Sequence, residues 1–324
     1  IFEYTEKPME DAYRACKKAY VEFKAVRDTK RNVHGVPSFV WVNGAPDPED
    51  RTLAGFAKAL GENTPVVGGS SADNDISGKW RQWCSLNGGT ITSSGCSFTL
   101  CFCSALVQGQ LFTGYNATGK RGVVTQMEGT RKICTIDDRP AIEVYNEWTG
   151  GHYTELMKTT ENPNILAESS LYPLGQVCGQ DEDGEPFYRS IHPSQIWTAT
   201  GAVQVFSDVK EGESIVMMSG TKENVVNRIA GVASHIVRTS GFSLQEVRGS
   251  LVIFCAGAMM FAGDSIGIAA QKLSTALGGT PYMGMHTFGE QGMFPDGLSR
   301  HGNLMFSALV VSSRRRIMKV LNVD

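Results

Sequence analysis

The sequence predicts an α/β protein of mixed, α+β character, built from two pseudo-symmetric halves. Three observations point there. Helix-like and strand-like segments interleave along 324 residues. A strand–helix–strand order occurs twice, as 38–42, 48–60 and 64–67 and again as 250–254, 264–277 and 280–285. The junctions of the two units also match in letters: Ala59-Leu60-Gly61-Glu62-Asn63-Thr64-Pro65-Val66-Val67-Gly68 against Ala276-Leu277-Gly278-Gly279-Thr280-Pro281-Tyr282-Met283-Gly284. One residue is deleted in the second copy. Ordered similarity of this length reads as a diverged duplication, with too few copies for a solenoid. Each half is expected to be a mixed sheet flanked by helices, and an αββα layering is one way to stack them.

Along the chain, 8–31 carries Ala12, Ala15, Cys16, Ala19, Phe23 and Val26 at helical spacing. Gly35-Val36-Pro37 ends that helix before the strand 38–42. Asp47 to Asp50 supply helix-start chemistry for a segment closed by Gly61. The strand 64–67 then runs into Gly68-Gly69-Ser70-Ser71-Ala72-Asp73. Strands follow at 80–86, 90–92 and 96–107, with an Asn87-Gly88-Gly89 turn between the first two, then at 110–114, 123–128 and 132–136. Pro140 preorganises a helix that runs to Trp148. The polar stretch 159–194 reads as loops and short strands, 196–205 and 214–218 as strands, and 223–239 as an amphipathic helix bearing Val226, Ile229, Ala233 and Ile236.

Composition excludes several classes. The chain is 41% hydrophobic and 19% charged, with net charge −3 and a pI of about 6.1. No basic field draws it to nucleic acid, and the run Arg314-Arg315-Arg316 reads as a solvated strand end. No apolar stretch reaches the roughly 18 residues of a membrane span, so no membrane insertion is expected. With Ile1 as its first residue, the chain is expected to be trimmed, processed or cut from something longer, and no signal peptide is visible. The eight cysteines form no CxxC pair, which argues against zinc and for a reducing, cytoplasmic setting.

Gly114-Tyr115-Asn116-Ala117-Thr118-Gly119-Lys120 fits part of a P-loop, but Arg121 replaces the magnesium-binding hydroxyl and a β-like run follows. It reads as a hairpin turn. Gly-x-Ser-x-Gly is absent. Ser70 or Cys255, each at a strand end, remain alternative nucleophiles for an amide or ester hydrolase. His286 and Glu290 stand four apart among glycines with no further metal ligand beside them, so neither a metal nor a cofactor is expected. Aligning Gly68 with Gly284 places Ser70, Ser71 and Asp73 opposite His286 and its neighbours up to Glu290. Ligands collect beyond the carboxyl ends of strands in open α/β sheets. Two such corners brought together would make a polar pocket for a small zwitterion, with acids for its ammonium and backbone N–H groups and Arg189 for its carboxylate.

Pro65-Val66-Val67-Gly68-Gly69-Ser70-Ser71-Ala72-Asp73, Thr118-Gly119-Lys120, Ile136-Asp137-Asp138-Arg139-Pro140-Ala141 with Tyr145, Tyr188-Arg189-Ser190-Ile191-His192-Pro193, and Phe254-Cys255-Ala256-Gly257 … Gly284 … Phe288-Gly289-Glu290 together resemble the FIST family of F-box and intracellular signal transduction proteins. The resemblance spans about 35–312 and implies an N-terminal FIST domain at 1–137, led by a helix within 1–34, and a C-terminal FIST domain at 138–324. It implies a non-enzymatic sensory module for a small, amino-acid-like ligand, with protein partners or attached signalling domains. It brings no established catalytic residues. Ala256-Gly257-Ala258 departs from the family, where an arginine is expected soon after Cys255, and no F-box is visible. The residues expected to bind ligand are Ser70, Ser71, Asp73, Arg189, His192, Cys255, His286 and Glu290. The alternative reading is a protein–protein scaffold, or a ubiquitin-ligase receptor module with a vestigial pocket.

Overall fold

The computed structural model describes residues 1–29, 35–71, 73, 81–85, 91–181 and 184–315. The Asn87-Gly88-Gly89 turn, the two ends Trp80 and Leu86 of the strand expected at 80–86, Thr90, Ala72 and Arg316 lie outside the described residues. A six-stranded sheet runs in the order Phe2–Glu3, Gly95–Cys101, Phe39–Gly44, Val66–Ser70, Glu290–Met293, Ser299–Gly302. A four-stranded sheet runs Tyr282–Thr287, Val247–Cys255, Met305–Arg315, Ala105–Thr113.

Side-chain alternation along the strands stacks these two sheets between helices. In Phe39–Gly44, Val40 and Val42 join Val66 against Ala12, Cys16, Leu53 and Phe56 of the helices Pro8–Thr29 and Glu49–Leu60. Phe39 and Trp41 face the other way, and with Val67 they meet Leu251, Ile253 and Leu309 of the four-stranded sheet. One residue along, Val252, Phe254, Phe306, Ala308 and Val310 face the helices Lys222–Thr239 and Ile266–Ala276. The order is helix, sheet, sheet, helix.

Beside this sandwich stands an eight-stranded sheet. Its path runs Pro186–Ile191, Leu174–Gln180, Ser214–Ser219, Asn116–Glu128, Lys132–Ile136, Ala202–Val205, Pro193–Trp197, with Arg139–Pro140 added on Lys132–Ile136. It has its own core, including Ile133, Ile136, Tyr145, Tyr153 and Ile196. Leu111, Phe187, Phe294 and Met305 join it to the sandwich.

The two strand–helix–strand units are both present, each with parallel strands. Val42 faces Gly68 in one and Val252 faces Gly284 in the other, so the aligned glycines hold the same register position. Their surroundings differ: Val66–Ser70 lies between two partners, whereas Tyr282–Thr287 is a sheet edge. The eight-stranded sheet belongs to neither unit. Strands from both sides of Asp137 also share the six-stranded and four-stranded sheets, so the sheets do not separate into the two halves the sequence reading described.

Several boundaries also shift. The strand expected over 96–107 is two strands, because Phe102 to Ser104 carry the chain from one sheet to the other. The strand expected over 196–205 is a hairpin, folded at a turn ending in Gly201 (φ 70°). The expected turn at Gly114 to Lys120 ends earlier, and Asn116 to Lys120 already belong to a strand. A short helix, Ala256–Ala262, precedes Ile266–Ala276. Among the described residues no helix is long and apolar enough to cross a membrane.

Candidate functional site

The two corners meet. Ser70 N–H donates to Gly289 O at 2.8 Å and Phe288 N–H donates to Ser70 O at 3.1 Å. Gly69 permits the approach, because a Cβ there would stand 2.2 Å from Thr287 Cγ2. The contact lines up the end of Val66–Ser70 with Glu290–Met293, Gly69 opposite Glu290.

A cavity of about 280 Å³ opens beside this junction. One wall comes from Pro46 and Glu49, at the start of Glu49–Leu60. Arg131, Ser170, His192 and Phe206 come from the eight-stranded sheet and its connections. Cys255 ends the strand Val247–Cys255, Gly257, Met260 and Phe261 follow it, and Phe288 and Asn303 complete the lining with Leu166 and Ala167. All three large sheets or their connections therefore contribute. The walls are largely apolar, and Glu49 and Arg131 are the charged groups among them.

Arg131 ties the parts together. Its Nη2 lies 2.8 Å from Glu49 Oε2, its Nε 2.7 Å from Asp208 Oδ1 and its Nη1 3.4 Å from Asp47 Oδ1. Ser70 Oγ donates to Glu49 Oε1 at 2.7 Å. Burial alone would raise the Glu49 pKa, but the charges of His301 and Arg131, with hydrogen bonds from Arg131 and Ser70, outweigh it and hold the group at about 2. Burial would likewise push Arg131 down, and Glu49 and Asp208 push it up, so its guanidinium stays charged.

Glu290 is the opposite case. It is fully buried, with Thr287 Oγ1 donating at 2.9 Å and Met305 N–H at 3.0 Å. Burial dominates those donors and raises its pKa to about 8. Cys255 is held protonated, first by burial and then by the neighbouring Glu290, despite the nearby N–H groups of Ala258, Leu304 and Gly257. Burial lowers His192 to about 4, only partly offset by its bond to Leu166 O at 3.0 Å, so its ring is neutral near pH 7.

Of the expected site residues, His192 and Cys255 line the cavity, while Ser70 and Glu290 support it from behind. Ser71 is half-buried and bonds Gly44 O. Asp73 accepts from Arg81 N–H at the surface. Arg189 pairs with Asp50 at 3.0 Å and bonds Asp208 O, which makes it a clamp outside the cavity. His286 is exposed on the edge strand, where it lines a separate apolar cavity of about 190 Å³ with Phe254, Leu273 and Tyr282. Sequence reading missed Glu49, Arg131, Phe206 and Asn303. Glu49 looked like ordinary helix-start chemistry, and only the fold brings the turn residue Arg131 to it. Among the described residues no group of side chains is arranged to hold a metal ion.

The FIST N domain model matches residues 3–139 and the FIST C domain model matches residues 141–293. No curated protein matches the chain. With both domains matched in order, the chain belongs to the FIST family, whose domains are associated with signal-transduction proteins.

Proposed function

We propose that this chain is a cytoplasmic, non-enzymatic sensory module that binds a small, amino-acid-sized ligand with an apolar body and a polar end. The observation that carries this reading is the cavity walled by three parts of the fold. At about 30 Å³ per water it has room for about nine waters, enough for one small metabolite. Apolar walls with a few convergent polar groups are the usual make-up of a ligand site. Cys255 is then wall rather than nucleophile, since the protonated thiol is the unreactive form.

Signalling follows from where Arg131 sits. It joins the Asp47–Glu49 corner of the sandwich to Asp208 beside the eight-stranded sheet. A ligand touching Glu49 and Arg131 shifts the balance between two arrangements of these parts, provided it binds one more tightly than the other. The test is a thermal-shift screen of amino acids and small amines against the wild-type chain and Ala167→Trp. Ala167 is exposed at the cavity wall, so the indole fills the site without entering the core. Stabilisation of wild type that disappears in the variant supports the reading; equal stabilisation of both places binding elsewhere and contradicts it.

The scaffold reading has one observation in its favour, the edge strand Tyr282–Thr287 with Met283 66% exposed. An uncovered edge of this kind offers a template for strand addition.

A further inference from the structure

The charge balance at the polar end of the cavity discriminates between ligand head groups. This inference rests on the cavity being a ligand site. Three carboxylates, Glu49, Asp208 and Asp47, surround the single guanidinium of Arg131. The wider set adds Asp50 facing Arg189, and Arg51 reaching only the exposed Asp47 at 3.9 Å. His192, also in the wall, is neutral near pH 7 because of its burial. Ser170 and Asn303 carry no charge, and Asn303 Oδ1 already accepts from Ser207 Oγ at 2.7 Å. His301, whose charge lowers the Glu49 pKa, lies buried behind Glu49; like Asp47, Asp50 and Asp208 it is not part of the lining, where Glu49 and Arg131 are the charged groups.

Among the described lining residues, then, the one cation is shared by acids before any ligand arrives. A ligand carboxylate would have to join three others around Arg131, and like charges at such range repel. An ammonium would enter the same field from the favourable side. Phe206, Phe261 and Phe288 line the same space, and aromatic faces attract organic cations.

We propose that the cavity takes small primary amines or other organic ammonium ions that lack a free carboxylate, with the charged head at Glu49 and the apolar body among the phenylalanines. Free amino acids and carboxylic acids are discriminated against.

The experiment is isothermal titration of the full chain at pH 8, above the ordinary range of histidine. Four probes share one phenyl body: phenethylamine, 2-phenylethanol, phenylalanine and 3-phenylpropanoate. Phenethylamine is expected to bind at least tenfold more tightly than phenylalanine or 3-phenylpropanoate, with the alcohol between. Glu49→Gln should bring the amine to within threefold of the alcohol. If that variant does not fold, the wild-type ratio decides, and equal affinity for amine and alcohol overturns the proposal. Binding of phenylalanine or 3-phenylpropanoate as tightly as the amine also overturns it, yet leaves the cavity as a ligand site. Binding of none of the four overturns both.

Discussion

The corner after Val66–Ser70 and the corner after Tyr282–Thr287 start from nearly the same letters and end in opposite environments. The first strand is buried along its whole length, whereas the second is mostly exposed. The difference comes from what lies beside each strand. Glu290–Met293 pairs with the first strand and seals it, but no described strand covers the outer side of the second. A repeated local motif therefore fixes register, Val42 to Gly68 and Val252 to Gly284, and leaves burial to the rest of the sheet.

The twin glycines give the largest test of this contrast. A Cβ at Gly68 would stand 1.9 Å from the Val42 carbonyl oxygen, which belongs to a central strand's backbone and has no room to move. At Gly284 the nearest atoms are a methyl of the buried Val252 at 2.5 Å and the Val252 carbonyl oxygen at 3.1 Å, but Gly284 itself lies on an edge strand whose outer side no described strand holds in place. Gly68→Ala is expected to cost about 3 kcal/mol or more, and Gly284→Ala about 1 kcal/mol. Urea denaturation of both variants measures the gap; equal losses would erase the distinction between buried and edge copies.

Next come the adjoining residues His286 and Thr287. Thr287→Val removes a donor from the buried Glu290 and is expected to cost about 2 kcal/mol. His286→Ala, on the exposed edge, should stay within about 0.5 kcal/mol. Thermal melts of the pair sharpen the comparison, and a large loss at His286 would break it.

A third test uses pH. Glu290, raised from 4.5 to about 8, keeps its proton in the fold over a range where the unfolded chain releases it. Its contribution is full below about 4.5 and is lost as pH rises through 8. Glu49, lowered from 4.5 to about 2, works in reverse: its contribution is present above 4.5 and is lost as pH falls toward 2. Glu290→Gln should flatten the alkaline slope of a stability–pH curve and leave the acid slope, and Glu49→Gln should do the opposite. The smallest effect is expected at Asp73→Ala, within about 0.5 kcal/mol, because its hydrogen bond from Arg81 N–H lies at the surface.

Local patterns made the paired strand–helix–strand units readable before any fold was known. Helix periodicity and the Pro65 and Pro281 junctions are properties of short windows, and so is the register they impose. The eight-stranded sheet was harder to see. Its members, such as Leu174–Gln180 and Pro186–Ile191, lie in polar sequence, and pairing rather than composition makes them strands. The site divides the same way. Cys255 and the Phe288 to Glu290 corner follow strands and could be marked from sequence, as could His192. Glu49 and Arg131 are 82 residues apart, and their ion pair exists only because the fold closes that distance. His286 was misleading for a related reason: the same strand end can face a cavity or open surface, depending on the neighbouring strand.

Ligand is expected to enter at the Cys255 and Phe288 side of the junction and not at the His286 side. Met260 lines the first cavity and Met285 the second, so their methyl resonances report the two sites separately. Titrating phenethylamine into protein labelled at methionine methyls should shift Met260 saturably, leaving Met285 unchanged. A saturable shift at Met285 with none at Met260 would place the ligand at the wrong corner and contradict the account.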